Sequence, residues 1–137
     1  QAIENLHTYD NKKRFFFGIF SKKNNKFIGT TTLRINEVKK EALYGYLIGD
    51  KGYWGTTAGI ESFALCLNFL FDNFNLNKVI GGTYSNNIPS IFNFYKLGFT
   101  LDRRLKKEAI FKGSPIDRLL FSTSKKKWRQ RRKRLSY

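Results

Sequence analysis

The stretch "YWGTTAGIES", residues 53–62, sets two glycines and two threonines between an aromatic pair and a run that turns apolar at helical spacing. Side chains this small leave backbone N–H groups uncovered. At the entrance to a helix those groups point the same way as the positive end of the helix dipole. Holding a phosphate is the chemistry that suits such a loop, and a plain turn before a helix is the alternative. A second polar cluster, "NNIPS" at residues 86–90, puts amides and a hydroxyl at the start of another helical run. Elsewhere the chain offers little chemistry. His7 is its one histidine, and Cys66, its one cysteine, falls inside a helical pattern. No His, Cys and Asp cluster has ligand spacing, so no metal is expected.

The elements that must position the loop follow from hydrophobic period. "RFFFGIF" and "KFIGTTTLRI" are β-prone runs joined by the polar turn "SKKNNK" and form an antiparallel hairpin. After "NEVKKE", "ALYGYLIG" is a third strand. The period then changes: Ile60, Phe63, Ala64, Leu67, Leu70, Phe71 and Phe74 recur at spacings of three and four, one face of a helix of about four turns with the small-residue loop at its start. "NKVIGGTY" is a short strand. In "NNIPSIFNFYKLGF", Ile88, Ile91, Phe92 and Tyr95 form the apolar stripe of a second helix, with Pro89 in its first turn and Gly98 as its stop. Two last strands flank the turn "KGSP". Strand, loop, helix, strand is a βαβ unit, so the third and fourth strands should be parallel neighbours, and the loop then lies where α/β sheets place anionic ligands.

Length and composition fit one globular domain, with 137 residues, 41% apolar and 17% aromatic. Residues 1–124 form it, and 125–137 are a basic C-terminal tail. A single cysteine points to a reducing compartment, and no stretch approaches a membrane span or a signal sequence, so a cytoplasmic location is expected. The net charge is +16. The tail "KKKWRQRRKRLSY" holds 8 basic residues and no acid, which is half of it and leaves +8 on the body. Such a tail reads either as a solvated, mobile end or as a contact for nucleic acid or another anionic surface. A basic body favours anionic ligands in its clefts.

"GYLIGDKGYWGTTAGIES" and "NNIPSIFNFYKLGF", in this order and spacing, resemble the GNAT acyltransferases, in particular the branch with ribosomal-protein and amino-sugar N-acetyltransferases. The likeness runs from about Arg14 to Thr123. It implies an α/β fold with a mixed, mostly antiparallel sheet, a central βαβ unit and helices on both faces. It also implies a further N-terminal strand and one or two helices, of which residues 1–13 can supply only the end. Acetyl-CoA is the implied co-substrate. Its pyrophosphate falls to the loop of Trp54, Gly55, Thr56, Thr57, Ala58 and Gly59, its pantetheine arm to backbone groups around Leu47 and Ile48, with Asn87 touching either. Two departures stand out: Thr57 replaces a usual glycine, and Phe94 replaces a tyrosine that in many members protonates the leaving thiolate.

Acetyl transfer to an amine needs a held donor, a neutral amine and a stabilised oxyanion. Candidates for the proton transfers are Glu41, before the third strand, Tyr84, at the end of the fourth, and Ser90, which can assist the thiolate. Each has a plain reading as a polar strand-end or helix-surface residue, and Asn87 has one as a helix cap. The implied acceptor is a small-molecule amine, such as a nucleotide amino sugar, or a protein N-terminus. The rival class is a nucleic-acid- or ribosome-binding module, an inactive relative of the acetyltransferases. Against it, the aromatics fall on core-facing stripes, without the stacking pattern of an RNA-binding sheet.

Overall fold

A computed structural model describes residues 10–135; His7 and the other residues of 1–9 lie outside them. Side chains alternate across β1 (Arg14–Phe20), β2 (Phe27–Asn36) and β3 (Glu41–Ile48), which pair antiparallel in sequence, with Leu33 opposite Phe15 on one side and Tyr44 on the other. The chain then makes a 3-10 turn at Lys51–Tyr53, crosses through α1 (Ala58–Asn73) and returns as β4 (Lys78–Tyr84), parallel to β3. α2 (Ile88–Lys96) leads to β5 (Thr100–Phe111) and β6 (Ser114–Ser124), and α3 (Lys125–Arg132) follows. Among the described residues the sheet order is β1-β2-β3-β4-β6-β5, with β3·β4 the one parallel pair. The βαβ unit and the hairpins therefore stand where the period and the turns put them.

One face of the sheet carries the core. Leu33, Ala42, Tyr44, Val79, Leu119 and Phe121 on that face are buried under Phe63, Leu67 and Leu70 of α1, Phe94 of α2 and Trp128 of α3. The three described helices all contribute to this core, so the expectation of helices on both faces is not met among the described residues. Phe16, Leu43 and Leu47 alternate out of register with the core positions and stay exposed on the other face. The presumed stripe of α2 needs correction. Phe94 (2% exposed) is the residue that enters the core, while Ile88 (66%), Phe92 (60%) and Tyr95 (50%) face outward. Phe94 stacks on Phe121 with ring centroids 4.6 Å apart, directly over Gly81. A Cβ at Gly81 would lie 2.6 Å from Phe94 Cε1, so only glycine fits there.

The basic tail also departs from its solvated reading. Residues 125–132 are helical, and Trp128 (1% exposed) sits in the core, its indole N–H donating to Asn68 Oδ1 at 2.9 Å. A single tryptophan among eight charges has no hydrophobic period to announce it.

The β5·β6 hairpin ends in a two-residue turn, Lys112–Gly113, with φ of 50° and 80°, the positive values a tight hairpin demands. Midway along, the register shifts between Leu105 and Ala109. Asp117 pins this bulge: its carboxylate accepts from Lys107 N at 3.0 Å and from the Arg104 guanidinium at 2.7 Å. Asp117 and Ser85 also exchange two hydrogen bonds, which ties the bulge to the end of β4.

Candidate active site

β3 and β4 pair over four positions, Glu41–Tyr44 against Lys78–Gly81, and then part. Gly45–Ile48 and Gly82–Tyr84 continue without each other, and the gap opens into a cleft of about 950 Å3. Its walls are the parted strands, the loop before α1 and the first turns of α2, including Tyr46, Thr57, Gly59, Tyr84, Asn87 and Ser90. Trp54 closes one end: its indole donates to Ile48 O at 2.7 Å and fixes the loop to the strand. Asp50 caps the preceding turn through Gly52 N and pairs with Lys26 at 2.8 Å.

At the start of α1 the Thr57 hydroxyl donates to Glu61 Oε2 at 2.9 Å, so the N-cap residue itself makes no side-chain cap. Thr56 Oγ1 takes the N–H of Ala58. The N–H groups of Thr57, Gly59 and Ile60 have no partner among the described residues. Three free donors at the positive end of a sixteen-residue helix are the arrangement that suits an anion. The two loop glycines have different reasons. Gly55 has φ of +77° and open space around it, so its backbone demands glycine, whereas Gly59 lies in the helix with Tyr46 Cε2 3.3 Å from where a Cβ would stand. Thr57, at φ −79°, needs no glycine, and the threonine in place of the usual residue leaves the backbone unstrained.

The other expected residues divide. Tyr84 borders the cleft and a neighbouring cavity of about 580 Å3, as does Asn87. Asn87 caps α2, its Oδ1 accepting from Ser90 N at 3.3 Å, and Ser90 is buried against the cleft wall. Phe94 shows an edge to the cleft while its ring belongs to the core. Leu47 and Ile48 line the parted edge of β3. Glu41 is a correction: it opens β3 at the closed end of the seam, pairs with Lys78 at 3.7 Å and does not reach the cleft. Seven residues of strand, roughly 23 Å, separate it from Ile48. Tyr44, although on the wall, is no base, because burial pushes its phenol well above the ordinary range. Sequence reasoning missed Tyr46, Ile88, Phe92 and Asn93. Ile88 and Phe92 belong to the apolar stripe by period, since apolar residues that line a cleft carry the same period as those that face a sheet.

A strand pair that parts beside a helix start rich in free donors is the architecture of an acyl-CoA-binding fold. Residues 1–100 match the model of the acetyltransferase (GNAT) domain. The chain belongs to that family: it is an acetyl-CoA-dependent N-acetyltransferase. It is 28% identical over 129 residues to the uncharacterized N-acetyltransferase p20 of Bacillus licheniformis, covering 93% of this chain and 71% of that protein. A spermidine N-acetyltransferase from Vibrio cholerae, with CoA and spermine bound, superposes with a TM-score of 0.80 at 19% identity, over 93% of this chain and 74% of that one. The microcin C7 self-immunity acetyltransferase, in complex with acetyl-CoA and AMP, superposes with a TM-score of 0.72 at 23% identity, over 89% and 64%. These structural likenesses speak for the fold.

Proposed function

We propose that this enzyme acetylates a primary amine carried on an anionic or neutral molecule, with a nucleotide-linked amino sugar the best fit. One observation carries the reading: among the described residues, Lys96 is the one charged residue that lines the two cavities, and no carboxylate lines either. A polyamine would enter without a counter-charge, into a body that carries +8 outside its last thirteen residues. The cavity beside the cleft offers instead the Tyr84 ring, the amides of Asn86 and Asn87, and the apolar Ile110 and Phe111.

In this reading the free N–H groups of Thr57, Gly59 and Ile60 hold the pyrophosphate. The parted edges of β3 and β4 hold the pantetheine arm, with an N–H near Leu47 and Ile48 polarising the thioester carbonyl. The amine nitrogen attacks the carbonyl carbon, the C–N bond forms and the C–S bond breaks. The proton shed by the nitrogen passes through a water hydrogen-bonded to the Tyr84 hydroxyl, and the departing thiolate, bonded by the Ser90 hydroxyl, takes up a proton. The lone buried Cys66 suits a reducing, cytoplasmic setting.

The exposed Ile110 and Phe111 favour a second acceptor, the N-terminus of an acidic protein, whose first side chains would rest on them. CoA release is therefore measured for nucleotide amino sugars, acidic peptides and polyamines from low to high salt. A preference for the nucleotide sugar that fades with salt is expected. Efficient, salt-independent acetylation of spermine would overturn the reading, and preference for the peptides would move it to the second acceptor.

A further inference from the structure

We infer that α3 and the turn after it form a second binding surface, for the phosphate backbone of a nucleic-acid duplex. The helix is fixed on its inner side. Trp128 is in the core, Arg132 Nη1 reaches Asn68 Oδ1 at 3.1 Å and Asp72 Oδ1 at 3.6 Å, and Arg131 lies against Gly98. The outer side is cationic apart from Gln130: Lys126, Lys127, Arg129, Lys133 and Arg134 are exposed, and none takes part in an ion pair among the described residues. At 3.6 residues per turn, positions 126, 129, 130 and 133 share an arc of roughly 100°.

This arrangement works against the helix. Lys125 and Arg129, Lys127 and Arg131, and Arg129 and Lys133 are like charges four residues apart, which repel on a helix surface. What holds them together is the anchored tryptophan, so a row of cations is presented ready-ordered. From Lys126 to Lys133 the ridge spans roughly 10 Å, a length over which a duplex presents about six phosphate charges. Lys126, Arg129 and Lys133 meet them from the ridge, and Lys127 and Arg134 from its flank.

The rest of the surface narrows the partner. A membrane-bound helix needs apolar residues to insert, and the exposed face of α3 has none. Single-stranded nucleic acid is held largely by stacking on exposed rings, and the one ring of α3 is buried. The surface is also distinct from the cleft, since Asn68, which anchors the ridge, lies roughly 15 Å along α1 from the loop end at Ala58.

The test is fluorescence anisotropy of a labelled 24-base-pair duplex, as RNA and as DNA, with the full chain between 50 and 200 mM KCl. Five phosphate contacts predict a salt slope of about −4.5, which is roughly a 500-fold loss of affinity over that range. Replacing Lys126, Arg129 and Lys133 by Gln together should flatten the slope to about −1.8, a loss of roughly 12-fold. Replacing the exposed Lys22, Lys23 and Lys39 by Gln should leave it unchanged. Equal binding by the α3 variant and the parent would overturn the inference. So would displacement of the duplex by CoA, which would put the phosphates in the cleft, or equally tight binding of vesicles rich in anionic lipid.

Discussion

Gly59 offers the sharpest test of the loop proposed to hold the donor. An added Cβ would stand 3.3 Å from Tyr46 Cε2, 3.5 Å from its hydroxyl and 3.7 Å from Asn93 Nδ2. For Gly59→Ala the ring must yield by a few tenths of an ångström, while the helix gains up to about 1 kcal/mol from losing a glycine. These effects nearly cancel, so melting temperature and acetyl-CoA affinity should stay close to those of the parent. For Gly59→Val the γ-methyls reach a further ~1.5 Å, into the space of Tyr46. The ring has little room, with Tyr44 and Phe63 behind it at centroid distances of 5.8 and 6.4 Å. It must swing toward the cleft or the helix must lift, and such overpacking costs about 1–3 kcal/mol. If that strain falls on the bound state, Kd for acetyl-CoA rises about 5- to 150-fold. Isothermal titration of both variants, with circular dichroism to check the fold, reads this directly. A folded Gly59→Val protein that binds as the parent does would show that the donor is not held between this helix start and Tyr46.

Three further outcomes follow from the same geometry. Gly81→Ala drives a methyl into Phe94, which Phe121 holds from behind, so about 1–3 kcal/mol and roughly 3–10 °C of melting temperature should be lost by calorimetry; an unchanged transition would mean that the ring moves freely. Lys107 N–H and the Arg104 guanidinium hold the Asp117 carboxyl below the usual carboxylate range, so its stabilisation is present above that range and fades as pH falls through it. Asp117→Asn should reduce stability at neutral pH and weaken its acid dependence in urea titrations; parallel pH curves for variant and parent would refute this. Tyr84→Phe should lower kcat by about 10²-fold or more with little change in the KM for acetyl-CoA; an unchanged kcat would exclude Tyr84 from the proton transfer.

What the sequence made legible was whatever rests on local pattern. α1 could be read because seven apolar residues keep its period, and the loop because small residues before such a period have few purposes. The β3·β4 pairing followed from the handedness and reach of a βαβ unit. What could not be read depends on contacts between distant segments. Glu41 looked as well placed as Tyr84 until the seam showed which end of β3 opens. Phe94 and Tyr95 are neighbours with similar rings, and only Gly81, a hollow in β4, decides which of them goes inward. Trp128 finds its place through Asn68, sixty positions away, and no periodicity in "KKKWRQRR" foretells it.

The short seam between β3 and β4 also sets how the molecule comes apart. Antiparallel ladders of seven and eight positions bind β1, β2 and β3 into one ribbon, and ladders of seven and eight bind β4, β6 and β5 into another, but four positions join the two. Sub-global opening should follow such a line, with each ribbon expected to exchange its amide hydrogens as a unit. Phe63 is the clasp, its ring packed on Tyr44 and Tyr46 of the first ribbon and near Phe94 and Phe99, which belong with the second. A donor lying across the gap would give main-chain partners to both ribbons and act as a second clasp at the open end. Loading the enzyme should then slow amide exchange at positions 42–44 and 79–81, and the free energy of donor binding would appear as added cohesion between halves whose strands share four ladder positions and the core under α1.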